Sequence, residues 1–359
     1  MKILNSNSKN FDKNLDSLLL QRKKKVQSNS VSVSSIIKDV RKNGDKALLK
    51  YEKRFNKNSI IVPSSKNISK SIKSLDKLVK KAIDTAYNRI YKFHSLQKFK
   101  NISYVDKYKN RLEYKYLPIE SVAIYVPGST ASYPSSVLMN AIPALVAGVK
   151  RIIMINPGFK GKQNPAVLYA AKKCKVKKIF KIGGAQAVAA FAFGTKTISK
   201  VDKIVGPGNQ YVSLAKKEVF GEVGIEGMIA GPSEITVVAD SKTDLNQVIT
   251  SIIGQAEHDV NSQCILITKD NNLIKNFKKK LLDNLSQLPR KKIAKKSLVN
   301  NGLIINTKND KQTIDVINEI APEHLELNIS NYKKILNKIN NSGSICLGKY
   351  SPMAVTDYN

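Results

Sequence analysis

Histidine is scarce in this sequence, so the places it occupies carry information. It occurs at His94, His258 and His324 only. Two of these follow a glutamate in polar, turn-adjacent segments, QAEHD at 255–259 and APEHLEL at 321–327. A carboxylate next to an imidazole offers two groups that move protons near neutral pH. Neighbouring side chains on a strand or loop point apart, so Glu323 and His324 could address different atoms. His94 sits on a helix beside Phe93 and Leu96 and reads as structural. Gln255 and His258 are three apart at a helix end and so share a face. Histidine is a common zinc ligand and glutamine an unusual one, so spacing leaves a metal site and an ordinary polar turn both open. Asp357, in SPMAVTDYN, could add a carboxylate.

Four glycine-containing loops form a second set. They are GSTAS (128–132), GGAQ (183–186), GPGN (206–209) and AGPSE (230–234). Each follows an expected strand, and all but the last precede an expected helix. Glycine lets backbone approach a ligand, and a helix N-terminus favours anions. None contains G-x-G-x-x-G. Together they suit a nucleotide or other phosphate-bearing ligand, and singly they read as tight strand–helix turns.

The elements that would position these residues follow from periodicity. Residues 1–118 read as mostly helical, with Gly44 breaking one amphipathic stretch and a long helix over 74–96 that Ser74 could cap. RLEYKYLPIE (111–120) alternates like a strand ribbon. From Ser121 to residue 234, short Ile/Val strands alternate with helices: SVAIYVP, RIIMINP, KIFKIGG and KIVGPG are the strands. A second alternation starts at Ile235, with ITVVAD, QCILIT, GLIINT, HLELNI and GSICLG as strands. Such alternation implies parallel sheets with helices on both faces. The expected fold is α/β: two Rossmann-like, doubly wound domains, 119–234 and 235–359, with the 1–118 region packing on the second. In such sheets ligands bind beyond the carboxyl ends of the strands.

Composition bounds the rest. The 359 residues carry 61 Lys+Arg against 27 Asp+Glu, a net charge of +34. The basic residues are mostly Lys, spread along the chain (Lys150, Lys172, Lys200, Lys216, Lys278), not Arg-rich and clustered with exposed aromatics. They read as solvated faces, as does the basic helix at 273–285, and no nucleic-acid partner is expected. Cys174, Cys264 and Cys346 lie far apart in apolar runs and read as core residues of a reducing cytoplasm. No segment has roughly 18 uninterrupted apolar residues or a signal-peptide core, so no membrane association is expected.

In order and spacing, GSTASYPSSVLMNAIPALVAGV, GGAQAVAAFAFGT, VDKIVGPGNQYV, IAGPSEITVVAD, QAEHDVNSQCILIT, APEHLEL and SPMAVTDY resemble the histidinol dehydrogenase family, from about residue 30 onward. The resemblance implies an aldehyde-dehydrogenase-like architecture, a homodimer, and oxidation of L-histidinol to L-histidine through histidinal with two NAD. By motif, Tyr125, Gln186 and Asn209 are implied to bind NAD. Ser233 is implied to touch substrate. Gln255, His258 and Asp357 are implied to hold zinc and, with His324, to frame the substrate. Glu323 and His324 are implied to transfer protons. The family continues past the position of Asn359 with a further zinc-binding His and a substrate-contacting Glu. The alternative is a shortened, non-catalytic remnant that keeps the fold.

Overall fold

A computed structural model of the chain describes residues 1–24, 30–128, 133–158, 162–226 and 233–356. Along the chain these form β1 (Lys2–Asn5), α1 (Phe11–Lys24), α2 (Ser30–Tyr51), a π-type turn (Glu52–Asn56), α3 (Ser65–Lys73) and α4 (Lys77–Ser95). A ribbon of β2 (Ile102–Val105) and β3 (Arg111–Tyr114) follows. Then come β4 (Ser121–Tyr125), α5 (Pro134–Ala147), β5 (Arg151–Ile155), α6 (Pro165–Lys173) and β6 (Lys178–Phe180). Next are α7 (Gly184–Phe193), β7 (Lys203–Val205), α8 (Gln210–Glu218) and β8 (Gly224–Ile225). The remainder is β9 (Glu234–Ala239), α9 (Leu245–Ala256), β10 (Gln263–Thr268), α10 (Asn271–Ser286), α11 (Lys291–Asn301), β11 (Leu303–Asn306), α12 (Asp310–Ile320), β12 (His324–Asn328), α13 (Lys333–Leu336), β13 (Ser344–Leu347) and a short turn at Met353–Val355.

The described residues fall into two compact units, 30–226 and 1–24 with 233–356. The first is built on a parallel sheet ordered β6-β5-β4-β7-β8. The second is built on a parallel sheet ordered β1-β11-β10-β9-β12-β13. Apart from β1, which comes first in the chain and lies at the edge of the second sheet, both sheets start at an interior strand, wind out one way, then return past it. That is the doubly wound order, with its switch point between β4 and β7 in one sheet and β9 and β12 in the other.

Successive strand residues serve opposite faces. Ala123 and Tyr125 of β4 join one core, and Val122, Ile124 and Val126 join the other. The helices cover these faces with local caps the sequence supplies. Asn164, Asn209, Asp244, Asp270 and Asn309 each accept a hydrogen bond from the first turn of α6, α8, α9, α10 and α12. On α10, Leu273, Phe277 and Leu281 are buried while Lys275 and Lys278 face solvent, the solvated basic face expected from sequence.

Two sequence expectations need correction, and two elements were missed. α4 starts at Lys77 and is capped by Asp76, while Ser74 ends α3. Residues 30–118 pack with the first sheet, not the second. Val33, Val40 and Leu48 of α2 enter its core on one side, and Ile83 and Ile90 of α4 on the other. Those helices bury their apolar stripes against the helices that cover the β4 sheet, α2 on α7 and α8 and α4 on α5 and α6; only the start of the chain joins the second unit, through β1 and α1. β1 itself was missed, because four largely exposed edge residues show no period. The helix α11 was missed as well, since its buried positions are only Ala294, Ser297 and Leu298. Gly44 does interrupt α2, at φ 51°.

At the switch point the chain leaves β7 through Gly206, whose φ is 97°. A Cβ built there would lie 2.3 Å from the Tyr125 carbonyl oxygen. Gly206→Ala is therefore expected to lower stability by about 3 kcal/mol, read from urea unfolding followed by circular dichroism. A loss under about 0.5 kcal/mol would contradict this packing.

Candidate functional site

The first unit places its sequence-predicted residues at the carboxyl ends of the strands. Tyr125 ends β4, Gln186 lies in the first turn of α7 after β6, and Asn209 caps α8 after β7. Two of them belong to one network. The Gly184 N–H donates to the Tyr125 hydroxyl at 3.0 Å, and the Gln186 amide donates to the carboxylate of Glu52 at 2.8 Å. Gly183 N–H donates to the same Glu52 oxygen at 3.0 Å. Tyr125 and Gln186 are thus buried and bonded inward, whereas Asn209 is exposed and spends its side chain on Tyr211 and Val212 N–H groups. Burial pushes the Tyr125 hydroxyl up to about 12, so it stays a neutral phenol. Burial also raises the Glu52 carboxyl, against four donors that lower it.

Two residues here were not found by sequence reasoning. Glu52 lies in a π-type turn with no motif around it. Lys216, read as one of the solvated lysines, is 1% exposed. Its ammonium donates to the carbonyls of Gly206 and Glu226, tying together the chain just beyond β7 and β8. Desolvation brings it down to about 8.

The second unit behaves differently. Its predicted residues gather at the amino edge of the sheet. Ser233 precedes β9, and Glu323 and His324 begin β12, which pairs beside β9. Gln255 and His258 end α9 and precede β10. AGPSE therefore does not share the rim expected for the four loops: its described residues, Ser233 and Glu234, lead into β9 at its amino end. The opposite edge is tied shut. Asp240 accepts from Ser330 N–H at 2.8 Å, and the Thr243 hydroxyl donates to the Asn328 carbonyl.

At the amino edge, two side chains hold one residue's backbone. Glu323 Oε2 accepts from the Glu234 N–H at 3.0 Å. His324 Nδ1 lies 2.9 Å from the Glu234 carbonyl oxygen. A carbonyl only accepts, so Nδ1 carries a proton, and the neutral form of the ring has its lone pair on Nε2. The His324 side chain is 21% exposed and that of Glu323 54%, so both reach solvent.

Glu326, two residues beyond His324 on the same strand face, is a further residue missed, although it stands in APEHLEL. Its buried carboxyl accepts from Met353 N–H at 2.6 Å and is pushed up by burial, with the Ser251 hydroxyl among the groups opposing this. The Met353–Val355 turn packs against α9 and β12. The segment leading toward Asp357 is thus docked on the elements that carry Gln255 and His324. Asp357 lies outside the described residues.

Among the described residues no cluster of three His, Cys, Asp or Glu side chains forms a metal site. Gln255 gives a different signal. It is 1% exposed, and neither Nε2 nor Oε1 has a partner. A buried, unbonded carboxamide costs stability unless something meets it. That orphaned oxygen, at the helix end carrying the exposed His258, fits a metal ligand.

The family model described as histidinol dehydrogenase matches residues 19–359. The chain is 69% identical over 359 residues to a histidinol dehydrogenase of Pelagibacter ubique, covering all of this chain and 84% of that protein. It is 46% identical to one of Acinetobacter baylyi over 82% of this chain and 68% of that one. The crystal structure of histidinol dehydrogenase from Elizabethkingia anophelis superposes with a TM-score of 0.91 at 36% identity, over 100% of this chain and 82% of that chain. An aldehyde dehydrogenase from Physcomitrella patens shares the fold at a TM-score of 0.52 and 11% identity, over 96% and 83% of the two chains.

Two outcomes follow from the buried polar groups. Gln255→Leu removes both orphaned atoms, so without metal it is expected to be more stable by about 1–2 kcal/mol and to bind zinc more weakly. Calorimetric melting and zinc titration read both; a destabilised variant with unchanged zinc affinity would contradict the assignment. Lys216 has a lower pKa folded, about 8, than the ordinary 10.5. The unfolded chain binds more protons between these values, so stability rises with pH there. The stability difference between wild type and Lys216→Met should shift toward wild type from pH 8 to 10.5. A flat difference across that window would refute a desolvated ammonium.

Proposed function

Because the chain belongs to the histidinol dehydrogenase family, we propose that it oxidises L-histidinol to L-histidine through L-histidinal, reducing two NAD per turnover with zinc at Gln255, His258 and Asp357. It is an oxidoreductase of histidine biosynthesis. The observation that carries the mechanism is the double hold on Glu234, which fixes the orientation of His324 and puts the proton of its neutral form on Nδ1, so that Nε2 is the nitrogen left to act as base.

The roles follow from these atoms. Oxidising an alcohol to an aldehyde releases a proton with the hydride, and Nε2 of neutral His324 takes that proton. The aldehyde must then add water. The Glu323 carboxylate has one oxygen on Glu234 N–H and the other left to accept a proton from that water. His324 serves again as base when the hydrate is oxidised to the acid. When bound, zinc supplies a Lewis acid for the substrate's imidazole and amine, and NAD supplies the hydride acceptor. Ser233, held by its carbonyl to Gln263 N–H at 3.0 Å, lies beside this pair as a substrate contact. In the other unit, Tyr125, Gln186 and Asn209 stand at the carboxyl ends around the switch point, where a dinucleotide fits a doubly wound sheet.

The working form proposed is a cytoplasmic homodimer. The β2–β3 ribbon exposes Ile102, Tyr104, Leu112 and Tyr114, flanked by Phe99 and Leu117, an apolar patch of the kind that subunit contacts cover. The three cysteines are buried and free, as a reducing compartment requires.

Purified chain with zinc, NAD and histidinol is expected to form NADH. Glu323→Gln keeps an acceptor for the Glu234 N–H, so its melting should be near wild type while kcat falls about 100-fold or more. His324→Ala should fall at least as far. Wild-type turnover in both variants would overturn these roles.

A further inference from the structure

Glu52 stands out among the buried groups the mechanism does not use. It is 1% exposed, and among the described residues no lysine or arginine pairs with it. Every contact it makes comes from a donor. Oε1 accepts from Gly183 N–H at 3.0 Å and from Gln186 Nε2 at 2.8 Å. Asn56 Nδ2 reaches both carboxylate oxygens, at 3.0 and 2.9 Å, and Asn58 Nδ2 lies 3.5 Å from Oε2. An acceptor-only carboxylate leaves Gln186 one arrangement: its NH2 must face Glu52 and its oxygen must face away. That oxygen is turned into the Gly183–Gly184 turn. Gly184 has φ 69°, and a Cβ there would lie 2.7 Å from Gln186 Oε1.

The same contacts change how the turn is used. A helix N-terminus following a strand is a ready anion site. Here the amides of Gly183 and Gly184, at the start of α7, are already taken by Glu52 and the Tyr125 hydroxyl. What the Gln186 side chain offers a ligand is its acceptor oxygen. That suits a donor such as a ribose hydroxyl or a carboxamide N–H.

We propose that Glu52 is a positioning residue for nucleotide binding, setting the amide of Gln186 so that its oxygen accepts a hydrogen bond from the dinucleotide. This rests on the reading of Gln186 as a nucleotide contact. In Glu52→Gln the new side chain can donate as well as accept, and the preference that fixes Gln186 is lost.

The test is a double-mutant cycle on the full chain. NADH affinity is read from the cofactor's fluorescence, and melting is read alongside. Glu52→Gln and Gln186→Ala should each weaken NADH binding about ten-fold. The double variant should be no weaker than Gln186→Ala alone, because Glu52 acts through Gln186. A purely structural Glu52 would lower the melting temperature and leave NADH affinity within two-fold, or its effect would persist undiminished in the Gln186→Ala background; either result overturns the proposal. If Glu52→Gln does not fold, Asn56→Ala loosens the same carboxylate. It should weaken NADH binding in the wild-type background and not beside Gln186→Ala, and its failure to do so is equally decisive. An unchanged affinity in Gln186→Ala, or no NADH binding by the unaltered chain, instead removes the nucleotide reading beneath it.

Discussion

The pairing of β12 beside β9 is the constraint on which the proposed catalytic edge depends. Glu234 and Glu323 are 89 residues apart, yet the carboxylate of one meets the backbone of the other because the two strands are neighbours. Had β12 been placed at the β11 end of the sheet, Glu323 and His324 would meet no Glu234 peptide. Backbone groups at a strand's start need partners, and here side chains supply them. The result is an imidazole whose orientation and tautomer are set by protein atoms before any ligand arrives, which is the preorganisation that proton transfer needs.

The two sheets share a strand order, and the roles proposed for their residues fall on opposite edges. Around β4 and β7 Gly206 lets the departing chain press on Tyr125 without a side chain between them. Around β9 and β12 the carboxyl end is closed by Asp240 and Thr243, which tie down the segments after both strands. On the proposed reading the doubly wound rule describes the first unit and not the second, where polar groups after β9 and β12 are bonded to each other.

Buried polar side chains mark the places where this fold departs from simple packing. Lys216, Glu52, Gln186, Glu326 and Gln255 are all nearly inaccessible. Four of them are bonded to neighbours, several of which lie in the segments leaving β6, β7, β8 and β13. In a medium of low dielectric such contacts are strong, and breaking one strands a partner, so they fix loops that hydrophobic contact alone would leave loose. Gln255 is the exception, with no protein partner for either amide atom. The chain's large positive charge has little part in this, since most lysines, unlike Lys216, remain on solvated faces.

The sequence by itself determined the alternation of elements. That signal is local: a parallel strand buried on two faces must read as a short Ile/Val run. The cap of α4 was not legible in the same way, since Asp76 and not Ser74 accepts from its first turn. The sequence also held the ordered motif set that carries the family. Tertiary structure alone decided which sheet the N-terminal helices cover, which edge Ser233 occupies, and what the buried carboxylates grip. Glu52 meets Gln186 across 134 positions, and no periodicity reports a contact of that span. Strand order depends on how whole helices pack, and a lysine's burial depends on where its helix lands; neither is written in the residues nearby.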